Sequence, residues 1–148
     1  MNTNIKGNIG LTKVIADITE KGYEVYLPIS DYLPVDLIMV DSKMNICRLQ
    51  VKYRNIERNK IIIPFSSVIN GKKVKIDFTK IDGWAVYVPE SNQIYYISVN
   101  DIDTTKTIFS FRLEKSIYNQ PNESPLGDKF LDIKRLWKVN WEGLKPHC

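Results

Sequence analysis

In the segment Ile46 to Tyr53 the side chains alternate in kind from Cys47 onward, and Arg54 continues the pattern. Cys47, Leu49, Val51 and Tyr53 are apolar or aromatic, whereas Arg48, Gln50, Lys52 and Arg54 are polar or charged. Successive side chains of a strand point to opposite faces of a sheet, so this period of two predicts a strand with distinct faces. The residues before it narrow the fold further. Val35 to Val40 (VDLIMV) has the composition of a buried strand, and Asp41 to Asn45 is a polar turn. Paired across that turn, the two segments form a hairpin that brings the start of one beside the middle of the other.

Around this hairpin the chain reads as one helix followed by many strands. Leu11, Val14, Ile15 and Ile18 form an apolar stripe at helical spacing, which predicts a helix from Asn8, as N-cap, to Lys21, ended by Gly22. Further strands are expected at Glu24 to Leu27, Lys60 to Phe65, Val74 to Phe78, Trp84 to Val88, Gln93 to Val99 and Thr107 to Leu113. Asn70-Gly71 is a hairpin-turn signal. Asn119 to Gly127 reads as a loop, and Lys129 to Trp137 as a short closing helix. The order predicts an α+β fold with a mostly antiparallel or mixed sheet, and 148 residues suit a single domain.

Composition excludes several chemistries. The one histidine, His147, is next to the end of the chain, and Cys47 and Cys148 are the only cysteines. A zinc site of histidine and cysteine is therefore not expected, nor is a Ser-His-Asp triad. A structural disulfide is not expected in a reducing compartment. The N-terminus lacks a signal-peptide pattern and no apolar run is long enough for a membrane helix, so a cytoplasmic, intracellular protein without a membrane partner is expected. Net charge is +4, but its distribution is uneven. Between Lys43 and Lys80 only Glu57 and Asp77 oppose ten lysines and arginines, so this stretch is strongly basic and the remainder is net negative. A concentrated basic segment suits a polyanionic partner, although a solvated lysine-rich surface would read the same way.

Three residues of the hairpin form a chemical grouping. Asp36 stands near the start of one segment; Gln50 and Lys52 share a face of the other. An aspartate in an otherwise apolar run is costly unless paired or liganded. Phosphodiester hydrolysis needs these group types: a carboxylate to hold a divalent cation, and a lysine to orient water or offset developing charge. The Gln50 carbonyl oxygen and the backbone carbonyl of Val51 are neutral oxygen ligands of the kind Mg²⁺ accepts. Taken singly, Gln50 is an exposed polar residue and Lys52 a surface lysine.

PVDLIMV followed by RLQVKY resembles the core of the PD-(D/E)XK nucleases, carried here by Pro34, Asp36, Gln50 and Lys52, with glutamine in place of the second acidic residue. The longer context KGNIGLTKVIADITEKGYEVYLPISDYLPVDLI is similar to PD-(D/E)XK homing endonucleases encoded by cyanobacterial group I introns. The resemblance covers the first half of the chain and continues more weakly through DGWAVYVPESNQIYYISV. It implies a prokaryotic, site-specific endonuclease that hydrolyses double-stranded DNA with Mg²⁺, or another divalent cation such as Mn²⁺ or Ca²⁺. It also implies a homo-oligomer, dimer or tetramer, so that both strands are cut. Asp36 and the Gln50 region would bind metal and Lys52 would assist the attacking water.

One position departs from that pattern. Related sequences often carry a glutamate near the place of Leu11. Leu11 reads equally as a core residue of the helical stripe or as a lost metal ligand, and in the second case cleavage is expected to be slow or absent. A nuclease fold kept only for DNA binding, or a junction resolvase, are the competing functions. Expected DNA contacts are Arg48, Arg54, Arg58, Lys60, Ser66, Ser67, Lys72, Lys73 and Lys75, several of them on a basic two-stranded ribbon around residues 60–80 suited to a major groove. The segment 114–148 is expected to serve packing or oligomerisation. Tyr95, Tyr96, Trp84 and Tyr87 are expected in the core.

Overall fold

A computed structural model describes residues 1–115 and 124–137. Helix α1 spans Thr3–Glu20. It begins five residues before the expected start. Asn2, not Asn8, is the N-cap, and its side chain accepts the Asn4 N–H at 2.8 Å. Gly7 and Gly10, weak helix formers, mask these first turns in the sequence. The C-terminal end is as expected. Gly22 adopts φ +88°, its N–H donates to Thr19 O, and the Tyr23 N–H donates to Ile18 O. That pair of bonds satisfies carbonyls the helix leaves open.

The main sheet has five strands in the order β1-β2-β3-β7-β8: β1 (Glu24–Tyr26), β2 (Leu37–Val40), β3 (Ile46–Tyr53), β7 (Gly83–Val88) and β8 (Gln93–Ser98). All pairings are antiparallel except β3 with β7, which makes the sheet mixed. β3 has the boundaries its alternation predicts. β2 starts two residues later than expected, which leaves Val35 and Asp36 ahead of the strand. The Asp41 carboxylate closes the β2–β3 turn by accepting the N–H groups of Lys43 and Asn45, each at 2.9 Å.

Each face of the sheet carries its own apolar cluster. α1 covers one with Val14 and Ile18 against Leu37, Met39, Cys47, Leu49 and Tyr96. On the other face Trp84, Val86, Tyr95 and Ile97 pack against Phe65, Phe111 and Phe130. β7 is therefore buried at every residue, as a strand covered on both faces must be. Gly83 at its start has no room for a side chain, since a Cβ there would lie 2.3 Å from Ile97 O. The expected core aromatics Trp84, Tyr87, Tyr95 and Tyr96 are all buried.

Two small ribbons complete the strands. β4 (Lys60–Pro64) pairs with β9 (Ile108–Arg112), and β5 (Ser66–Ile69) pairs with β6 (Lys72–Lys75). A strand expected at Val74 to Phe78 instead starts at Lys72, because Asn70 (φ 50°) and Gly71 (φ 75°) make a two-residue turn whose flanking residues pair at once. The expected closing helix is two 3₁₀ turns, Gly127–Leu131 and Ile133–Trp137, separated by Asp132. Phe130 enters one cluster while Ile133 and Leu136 enter the other. Most of the loop expected from Asn119, together with His147 and Cys148, lies outside the described residues. Among the described residues no helix is long and apolar enough to cross a membrane.

Candidate active site

The site begins where β2 stops short. The β2–β3 ladder ends at Leu37 opposite Leu49, so the next residues of β3 lack a strand neighbour on that edge. Asp36 fills the gap. Its N–H donates to Leu49 O at 2.9 Å, and its Oδ2 accepts the Val51 N–H at 2.7 Å. A strand residue directs its N–H and C=O to the same edge, so the Val51 carbonyl also lies on the side of Asp36. The ladder register does not continue past Leu37, since the Asp36 N–H meets Leu49 O and Val35 joins the cluster on the face away from α1. The Asp36 carboxylate lies at the open edge of β3, beside Gln50, whose side chain is on the face away from α1. Lys52, two residues on, shares that face.

The charges of Asp36 and Lys52 sense each other. Asp36 keeps an exposed side toward a groove, but protein crowds its other sides. Burial raises its carboxyl pKa, against lowering by the Val51 N–H and by Lys52. Burial likewise pushes the Lys52 ammonium down, helped by the Arg54 charge and opposed by Asp36. A carboxyl and an amine drawn toward each other in this way suit proton-transfer chemistry.

The groove has a volume of about 400 Å³. Asp31, Tyr32, Pro34, Asp36 and Gln50 line one wall, and Ser67, Ile69 and Val74 of the β5–β6 ribbon line the other. In the ribbon register Lys72 opposes Ile69, on the groove face, and Lys73 opposes Val68 on the reverse face. Lys72 and Lys73 are exposed, as is Ser67, and Ser66 is half-buried. Lys75 is partly engaged: its Nζ donates to Thr104 O at 2.8 Å and lies 5.6 Å from the Phe78 ring centre.

The remaining basic residues differ in how free they are. Arg58 and Lys60 are exposed in and after the turn that leads into β4. Arg48 is fastened in place, its guanidinium donating to both Asp82 carboxylate oxygens (3.0 and 3.1 Å) and to Thr79 O. Arg54 is half-buried, and its Nε is enclosed without an acceptor among the described residues. Leu11 is partly buried against the cluster beneath α1, which Val51 also borders. Its neighbour Gly10 lies against the backbone of Lys52 and Tyr53. The packing reading of Leu11 is thus accounted for, on the sheet face opposite Gln50.

Two features had no sequence signal. Gln50 Oε1 accepts the Trp84 indole N–H at 3.1 Å, a contact that depends on the parallel β3–β7 register pairing Gln50 with Trp84. Lys80 and Asp77, at the ribbon's base, also border the groove.

No group of three or more histidine, cysteine, aspartate or glutamate side chains that could hold a metal occurs among the described residues. Asp36 with neutral oxygens beside it still fits a hard divalent cation, which commonly binds through one or two carboxylates and completes its shell with substrate phosphate and water. The open edge at Val51 supplies such an oxygen.

A carboxylate just ahead of a short strand, on the edge of a neighbouring strand that carries Gln-x-Lys in a helix-backed mixed sheet, is the arrangement of a PD-(D/E)XK nuclease core. The family comparison agrees: residues 1–131 match the PD-(D/E)XK endonuclease model, and the chain belongs to that family. Among solved structures it is similar to a bacterial homing endonuclease, I-Ssp6803I, with a TM-score of 0.64 over 83% of this chain and 85% of that one. At 18% identity this likeness shows a shared fold. No curated protein matches the sequence.

Proposed function

We propose that this chain is a site-specific endodeoxyribonuclease of the homing type that hydrolyses double-stranded DNA with Mg²⁺, for which Mn²⁺ or Ca²⁺ can stand in as ligand. One observation carries the reading: the Asp36 carboxylate, on the edge of the strand that bears Gln50 and Lys52, lines with Gln50 one wall of a groove whose other wall is the basic β5–β6 ribbon, and the Lys52 charge is felt at Asp36. Asp36 and the Val51 carbonyl would hold the cation. When bound, it supplies positive charge against the scissile phosphate and acidifies the attacking water. Lys52 orients that water and, when protonated, offsets charge on the phosphate. Lys72 and Lys73, with Arg58 and Lys60, would contact backbone phosphates and set the enzyme on the duplex. Arg48 would act by holding Asp82 instead of DNA. Cutting both strands calls for two sites, hence a homo-oligomer acting on DNA inside a prokaryotic cell.

A second reading rests on Leu11. With Gln50 neutral and Leu11 apolar, Asp36 is the one carboxylate among the motif positions, so the chain could keep the fold for binding alone. A plasmid assay with and without Mg²⁺ separates the two. Metal-dependent linearisation is the expected result; a gel shift without cutting would establish the binding module. Cuts confined to branched DNA would replace both with a junction resolvase.

A further inference from the structure

Gln50 occupies the second acidic position of the motif, and the first expectation for its amide is that the oxygen ligates the cation. The geometry points elsewhere. We propose that Gln50 offers its amide N–H groups to a phosphate oxygen of the bound strand, and that Trp84 is the positioning residue that turns the amide this way. The inference rests on the nuclease reading and refines one residue of that site.

The orientation follows from what each group can do. An indole N–H is a donor only, so its partner on Gln50 must be the carbonyl oxygen. Trp84 is 1% exposed and cannot turn to seek another acceptor. Phe65 stacks on it at 5.6 Å and Phe78 meets it edge-on at 6.2 Å. Its Nε1 lies 3.1 Å from Gln50 Oε1, the oxygen drawn toward the sheet core. A cation on that oxygen would have to sit beside the positive end of the indole N–H dipole, which weakens the site for metal. Gln50 Nε2 has no hydrogen-bond partner among the described residues, yet it is not sealed from solvent. Gln50 lines the groove, so its unused donors open there. Two N–H groups beside Asp36 suit an anionic oxygen, and the anion the groove receives on the nuclease reading is a DNA phosphate.

The test separates metal affinity from DNA affinity in the full chain. Mn²⁺ alone is titrated and followed by electron paramagnetic resonance; a duplex containing the cleaved site is titrated in Ca²⁺. Asp36→Asn is expected to weaken Mn²⁺ binding about tenfold or more. Gln50→Leu, similar in size but without hydrogen-bonding groups, is expected to leave the Mn²⁺ affinity within about twofold and to weaken duplex binding about tenfold. Trp84→Phe is expected to weaken duplex binding too, but not further when Gln50 is already leucine, because its effect passes through the amide. A tenfold loss of Mn²⁺ affinity in Gln50→Leu would overturn the inference, as would duplex binding unchanged by that substitution. Equal losses from Trp84→Phe in both backgrounds would remove Trp84 from the role. If Asp36→Asn leaves Mn²⁺ binding intact, the metal site itself is misplaced and the nuclease reading fails first.

Discussion

The central sheet and the β5–β6 ribbon use the same local structure to opposite ends. In the sheet β7 is buried at all six positions and both faces are covered. In the ribbon Ser66 alone is less than exposed; Val68 is 73% exposed and Ile69 53%. A two-stranded ribbon is marginal by itself in water. This one is held by its type I′ turn and by bonds at its base, where the Ile76 N–H donates to Phe65 O at 2.7 Å. Fixed position is thus the sheet's contribution and reach is the ribbon's. Asp36 and Gln50 sit between them, anchored to the first and facing the second.

The sharpest way to break this division is to test the fixed side. Asp36→Asn is expected to lower Mg²⁺-dependent plasmid cleavage on the order of a thousandfold while leaving the melting temperature near that of the parent. Burial raises the Asp36 carboxyl pKa in the folded state. The folded chain therefore holds a proton there that the unfolded chain has released, and stability contributed by this group falls as pH rises through that interval. Cleavage should accordingly fail on acidification at a higher pH than an ordinary aspartate would set. A variant that still cuts would show that the carboxylate is structural.

The reaching side comes next. Charge reversal of Lys72 and Lys73 to glutamate is expected to weaken duplex binding about a hundredfold at moderate salt and to reduce the slope of log affinity against log salt by roughly two. Unchanged slope and affinity would take the ribbon out of the interface. Leu11→Glu tests whether the helix can lend the sheet a second carboxylate near the Val51 edge. A gain on the order of tenfold in Mn²⁺ affinity and in cleavage rate is expected, read by titration and plasmid assay. No gain at either readout would leave position 11 to packing. The smallest effect belongs to the ribbon turn. Gly71 has φ +75°, and Gly71→Ala should cost about 1 kcal/mol locally. That should appear as faster amide exchange in β5 and β6 with little change in the global melt.

What the sequence made legible follows the same division. The limits of β3 and the approach of Asp36 to the strand that carries Gln50 and Lys52 could be read from a period of two and one short turn, both local. The parallel pairing of β3 with β7 could not, because it joins residues more than thirty apart, and the Trp84–Gln50 bond came with it. The fastening of Arg48 by Asp82 escaped for the same reason: composition counts charge but not its partners. The start of α1 was hidden by its glycines, and the start of β6 by apolar residues beyond the ribbon's base.

The short β2 has one more consequence. A strand edge with free N–H and C=O groups invites a foreign strand to add to the sheet. At Val51 that invitation is withdrawn by a carboxylate that occupies the backbone donor and places a charge where an incoming chain would have to lie. In chemical terms Asp36 grips; in terms of solubility it is also a gatekeeper, and a protein that replaced it with a small apolar residue would trade a silent site for a sticky edge.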